Sequence, residues 1–234
     1  LEFRGGLVLT SQSKNFGGWS GMVIDESGRR LVAVSDAGTW MTAEIGYDGS
    51  RPTAIRGARL GPLKALGEKA LRKNRDRDAE AIALVSGTPL KGSALVSFEG
   101  NHRIGRFQIG PDGLSAPQGY LTTPPELKKA RKRDGLEAVT VLRGGPRKGA
   151  IVAFAEHFRD ASSNHTGWIW SGDTPQKFNL ADIGEFDVTD AASLASGDVI
   201  VLERRFRWLE GVKMRMRRLP ASEIRAGALL RGEV

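Results

Sequence analysis

The sequence predicts an all-β fold, a β-propeller built from repeated four-stranded blades. Three observations point there. Four segments share one grammar of paired apolar strands. Glycine makes up 30 of the 234 residues, enough to supply the tight turns that repeated hairpins need. Helical signals are short, at 62–73, 125–133 and 221–230, and the second opens on a proline whose fixed φ suits a first helical position.

A strand is expected at 6–10, within an N-terminal stretch 1–16 that precedes the repeats. The first unit (17–76) runs through Trp19-Ser20-Gly21-Met22-Val23-Ile24 to Val32-Ala33-Val34-Ser35-Asp36. Its outer strands are predicted at 40–45 and 54–58, around the turn Tyr47-Asp48-Gly49. The second unit (77–133) opens with Asp78-Ala79-Glu80-Ala81-Ile82 and reaches Leu95-Val96-Ser97-Phe98-Glu99. A strand at 103–109 then leads to Pro111-Asp112-Gly113, a turn by composition. The third unit (134–186) opens with Gly135-Leu136-Glu137-Ala138-Val139 and reaches Val152-Ala153-Phe154-Ala155-Glu156, with further strands at 167–170 and 176–180. The fourth (187–234) opens with Thr189-Asp190-Ala191-Ala192 and reaches Val199-Ile200-Val201-Leu202-Glu203. It closes on 212–219, which alternates at period two as an outer strand should.

In every unit a polar or acidic residue precedes a small one: Ser20-Gly21, Glu80-Ala81, Glu137-Ala138, Asp190-Ala191. The small residues Gly21, Ala81, Ala138 and Ala191 recur at intervals of 60, 57 and 53, room for four strands and a loop. Four units and an N-terminal strand make a ring at the low end of the propeller range, and an open ring exposes strand edges. Either the chain ends before the last blade or the ring is completed by other means.

Composition narrows the chemistry. The length suits one large β domain, here taken as a single domain over 1–234. There is no cysteine, which excludes disulfides, thiolate metal sites and a cysteine nucleophile. No Gly-x-Ser-x-Gly word and no Gly-rich nucleotide loop are present. The net charge of +8 is unevenly placed. One basic cluster is Arg72, Lys73, Arg75 and Arg77; another is Lys128, Lys129, Arg131, Lys132 and Arg133; a third is Arg204, Arg205 and Arg207. An anionic partner such as a phosphorylated small molecule fits this balance, and a solvated basic surface is the competing reading. A nucleic-acid partner ranks last, because no recognition motif is present and the aromatics sit mostly in strand positions.

Equivalent residues of successive blades converge at one mouth of a propeller, so two acidic rings are expected. One is Glu80, Glu137 and Asp190, with Ser20 as the uncharged copy; the other is Asp36, Glu99, Glu156 and Glu203. Carboxylates so close together raise each other's pKa unless a cation sits among them. Hard oxygen donors without cysteine favour Ca²⁺ or Mg²⁺ over zinc. The competing role for each acid is to hold blades together through backbone N–H groups and arginines. Arg77, Arg103, Arg133, Arg204 and Arg205 accompany the acids and are candidate phosphate ligands, since guanidinium matches phosphate in a two-pronged way. Glu99 and Glu156 are each followed closely by a histidine, His102 and His157. These four are the candidate catalytic residues, the histidines binding phosphate or protonating a leaving group. For each histidine an ordinary loop position is the competing reading, and His165 reads as loop.

The words Phe16-Gly17-Gly18-Trp19-Ser20-Gly21, Ala33-Val34-Ser35-Asp36, Arg77-Asp78-Ala79-Glu80-Ala81, Val96-Ser97-Phe98-Glu99, Gly135-Leu136-Glu137-Ala138 and Leu202-Glu203-Arg204-Arg205-Phe206 resemble the phytase-like family of bacterial proteins, "esterase-like activity of phytase". The resemblance implies a β-propeller, phosphoester hydrolysis, and export to the periplasm or the medium. The family pattern usually continues with a further blade carrying an Asn-Met-Glu-Gly word, which is absent here. The expected function is therefore a phytase-like phosphoric-ester hydrolase using a divalent metal held by a carboxylate ring. The alternative is a non-catalytic propeller that binds a small anionic ligand or a protein partner.

Overall fold

Consecutive stretches of the chain fold into four antiparallel sheets, arranged as the blades of a four-bladed β-propeller. The computed structural model describes residues 2–131 and 134–234. Blade 1 is β1 (Trp19–Ile24), β2 (Arg30–Ser35), β3 (Thr39–Asp48) and β4 (Arg51–Pro62). A small hairpin, β5 (Lys64–Ala65) and β6 (Lys69–Ala70), and a single helical turn α1 (Asn74–Arg77) lead to blade 2. Blade 2 is β7 (Ala79–Thr88), β8 (Lys91–Phe98) and β9 (Arg103–Gly110), with the short β10 (Gly113–Leu114) and β11 (Gly119–Tyr120) on its edge. Blade 3 is β12 (Leu136–Val141), β13 (Ile151–Arg159), β14 (His165–Trp170) and β15 (Pro175–Leu180). Blade 4 is β16 (Asp187–Ser193), β17 (Val199–Arg207) and β18 (Gly211–Leu219). The chain then returns to blade 3, where β19 (Leu229–Leu230) lies parallel to β15.

The innermost strands β1, β7, β12 and β16 line an axial channel of about 200 Å³, with β7 packed between β1 and β12, and β12 against β16. The small residues of the repeat explain how closely they approach. A Cβ on Gly21 would lie 2.7 Å from the Ala81 backbone, so a side chain there would push blades 1 and 2 apart. Middle strands such as β2, β13 and β14 are buried over most of their length because both of their faces are covered. One core joins blades 1 and 2 through Val32, Val34, Phe98 and Phe107; another joins blades 2 and 3 through Leu95, Ile104, Leu136 and Trp168. A third joins blades 3 and 4 through Phe154, Phe178, Val199 and Val201. The far face of blade 1 is capped by Phe16 and Trp19, whereas Phe206, Val212, Met214 and Met216 of blade 4 are exposed.

The helical expectations fail for identifiable reasons. Over 62–73, Gly67 and Glu68 have φ of 69° and 62°, which closes the β5–β6 hairpin instead. The 125–133 signal gives only a 3-10 helix, Pro125–Lys129, after which Ala130 is extended. Over 221–230, Gly227 at φ +70° breaks any helix, and Ile224 and Leu230 enter the core between blades 3 and 4. Residues 6–10, expected as a strand, belong to no sheet.

Candidate functional site

Each blade carries the same irregularity in its inner hairpin. The register of β1 on β2 skips Ser20, that of β7 on β8 skips Glu80, that of β12 on β13 skips Glu137, and that of β16 on β17 skips Thr189. A bulge places one unpaired residue opposite the partner strand and re-aims its side chain. The same hydrogen bond then closes each of the first three hairpins. The N–H groups of Asp36, Glu99 and Glu156 donate to the carbonyls of Gly18, Asp78 and Gly135. In blade 4 the corresponding pair is Arg204 opposite Asp187.

This register revises the fourth repeat by one residue. Thr189, not Asp190, stands where Glu80 and Glu137 stand, and Arg204, not Glu203, stands where Glu99 and Glu156 stand. The consequence for Glu203 follows from strand alternation. It points into the interface with blade 3, fully buried, and is bound by Arg215 at 2.7 Å and by the equally buried Arg217. Asp190 shares a cavity with Ser20 and Trp19 at the seam between blades 4 and 1, where it accepts a 2.7 Å bond from its neighbour's N–H. Both were expected among the metal ligands, and both lie outside the acidic cluster.

The cluster itself comes from blades 2 and 3. Asp78, Glu80 and Glu99 each offer an oxygen, with these atoms within 4.8 Å of one another; Glu99, Glu137 and Glu156 form a second such triad. Glu99 belongs to both. Burial pushes the Glu137 carboxyl up to about 9, reinforced by Glu156, Glu80 and Glu99, with Arg204 opposing the shift. Burial, then the charges of Asp78 and Glu99, push Glu80 up to about 8, with the neighbouring Ser20 opposing the rise. Glu99 is raised to about 7 by burial, Asp78 and Glu156, and Glu156 is raised chiefly by burial. Asp36 lies apart from both triads, in an adjoining cavity with Arg75, Arg77 and Asp78.

The expected arginines divide. Arg204 is exposed and faces Glu137 and Glu156, and Arg77 lines the cavity beside Asp78. Arg103 is a structural staple, buried over the Phe98 ring and donating to the carbonyls of Asn101 and Asp76. Arg205 is held by the Gly184 carbonyl and Glu210. Arg133 lies outside the described residues. His157 stands between Glu156 and Asp187, with Nε2 3.4 Å from Oε2 of the former and Nδ1 3.4 Å from Oδ1 of the latter. His102 sits beside Glu99 and Gly135 with its pKa lowered by desolvation. His165, read as loop, is fully buried at the start of β14. Asp78 and Asp187 were absent from the expected rings. The signal for them was present: both stand two residues before the bulge position of their unit.

An all-carboxylate donor set with raised pKa values fits a hard divalent cation. The oxygens are the ligand type that Ca²⁺ and Mg²⁺ take, and among the described residues Arg204 and His157 offset their charge only on the Glu137 and Glu156 side.

Among solved structures, the chain is similar to a structure of U3-55K and to the crystal structure of RRP9 WD40 repeats. Each is 9% identical with a TM-score of 0.44 over 86% of this chain, and the chain spans about half, 51%, of each of those chains. No curated protein matches it. The family model for "esterase-like activity of phytase" matches residues 14–232. A match over that span takes in all four blades and every residue of the acidic cluster, and the chain belongs to the phytase-like family.

Proposed function

We propose that this chain is a phosphoric-ester hydrolase whose reaction centre is the carboxylate cluster of blades 2 and 3. The observation that carries this reading is the convergence of five carboxylates, Asp78, Glu80, Glu99, Glu137 and Glu156, in two triads that share Glu99. A structural role would pair each acid with an arginine, as Glu203 is paired. The cluster instead leaves its carboxylates facing one another.

These five residues would hold a divalent cation, Ca²⁺ or Mg²⁺. When bound, such an ion polarises a phosphoryl oxygen and acidifies a water. Arg204 faces the Glu137 and Glu156 side of the cluster. Its fork takes the non-bridging phosphoryl oxygens and neutralises the charge that builds on them. His157 is oriented from both sides, by Asp187 at Nδ1 and Glu156 at Nε2. It is placed to deliver a proton to the departing alcohol. Ser20, whose hydroxyl donates to the Gly18 carbonyl, stands beside Glu80 at the edge of the first triad.

The test is calorimetric titration of Ca²⁺ into chelator-treated protein, with phosphate release from phytate and simple phosphomonoesters measured alongside. Glu99→Gln is expected to weaken cation binding more than Glu156→Gln, because Glu99 serves both triads. A folded protein that binds no divalent cation and releases no phosphate removes the hydrolase reading and leaves a binding propeller.

A further inference from the structure

We propose that the Asn74–Asp78 turn is an anion cradle, in which Arg75 and Arg77 take the oxyanion of a compact phosphate ester beside the acidic cluster. This rests on reading that cluster as a hydrolytic centre. The turn lines a cavity of about 480 Å³ together with Asp36 and Gly100, within the range of small-molecule pockets. The cavity adjoins the cluster directly, because Asp78 lines it and also belongs to the triad with Glu80 and Glu99.

The turn is fastened by five contacts, which is unusual for an exposed loop of charged residues. Arg103 donates to the Asp76 carbonyl. Asn101 Nδ2 donates to Asp76 Oδ1 at 3.1 Å. Arg77 Nε donates to the Leu71 carbonyl at 2.7 Å, which fixes its stem and leaves its terminal nitrogens for another partner. Gly100 packs so tightly on the turn that a Cβ there would lie 2.8 Å from the Arg75 carbonyl oxygen. Gly38 likewise admits the Arg77 stem, since its own Cβ would lie 2.8 Å from Arg77 Cβ. Arg77, with its stem fixed, loses little freedom when it grips an oxyanion, and Arg75, 3.9 Å from Asp76 Oδ1, adds a second planar fork that matches phosphate oxygens. Asn101 and Arg103 are positioning residues in this scheme, acting through Asp76.

The experiment is calorimetric titration of orthophosphate into the full chain, once with calcium and once with chelator, comparing wild type with Arg75→Ala. The Arg75 side chain is 53% exposed, so its removal leaves the packing intact. The expected result is phosphate binding weakened about tenfold or more in the variant, as loss of a charge-assisted contact implies, with calcium affinity unchanged. Equal phosphate affinity in the two proteins overturns the cradle, as does absence of phosphate binding by wild type in both arms. The two readings separate cleanly. Arg75-dependent phosphate binding without ester hydrolysis keeps the cradle and removes the hydrolase. Calcium binding with no phosphate binding removes the cradle and leaves the cation site.

Discussion

In cation-free protein, Glu137→Gln is expected to raise stability at pH 9 and to leave it nearly unchanged at pH 5. Burial, with Glu156, Glu80 and Glu99 close by, lifts the Glu137 pKa from 4.5 to about 9. The folded protein therefore keeps a proton that the unfolded chain releases, over the window from 4.5 to about 9. Stability falls as pH rises through that window, because the folded state binds more protons than the unfolded one. At ~1.4 kcal/mol per pKa unit the whole shift corresponds to on the order of 6 kcal/mol. Its neighbours titrate over the same range and share that cost. One substitution is thus expected to recover ~2–3 kcal/mol, with glutamine filling the same space uncharged. For a chain of this size ~1 kcal/mol moves Tm by ~2–4 °C, so the variant should melt ~5–10 °C higher at pH 9. The assay is thermal unfolding in chelator at pH 5, 7 and 9, repeated with calcium. Calcium should stabilise wild type more than the variant, because the cation offsets the same charge. A variant that melts lower than wild type at pH 9, or that shifts equally at pH 5 and pH 9, would refute the claim that ionised Glu137 opposes the fold.

Glu203→Leu should cost ~3–5 kcal/mol, because it leaves Arg217 buried without its carboxylate; a Tm within a degree or two of wild type argues against that pair. Its calcium affinity should match wild type, since Glu203 lies on the blade 3 side of β17 and outside both triads. Asp78→Asn should weaken calcium binding measurably by calorimetry, whereas Asp190→Asn should not. The opposite order would restore the acidic ring read from the repeat.

Much of the fold was legible because the repeat encodes local physics. Apolar runs bounded by glycine turns placed the inner and middle strands of all four blades, and the predicted outer strands at 40–45, 103–109, 167–170 and 212–219 fall within β3, β9, β14 and β18. The helices were misread where a glycine at positive φ decides the backbone, as Gly67 and Gly227 do. Of the site, Glu80, Glu99, Glu137 and Glu156 were visible as recurring acids, and the structure brings them together. Asp78 and Asp187 share a position two residues before the bulge, a weak signal because their counterparts in blades 1 and 3, Gly18 and Gly135, have no side chain. Arg103 and Arg205 were indistinguishable in sequence from Arg204, since nothing local says that a backbone carbonyl will occupy a guanidinium.

The sequence alone determined that this is a four-unit all-β repeat with acids at recurrent places, because turn chemistry and apolar periodicity act over a few residues. Only the tertiary structure decided which acids meet. Successive side chains of a strand point to opposite faces, so a one-residue difference in register exchanges the channel mouth for the blade interface. The bulge in blade 4 falls at Thr189, and with it Glu203 turns inward to Arg217 while Arg204 turns to the cluster. Neither the spacing of Asp190-Ala191 nor the word Leu202-Glu203-Arg204 carries that information. It resides in how β17 pairs with β16 and packs against blade 3, where burying Glu203 requires Arg217 as its partner.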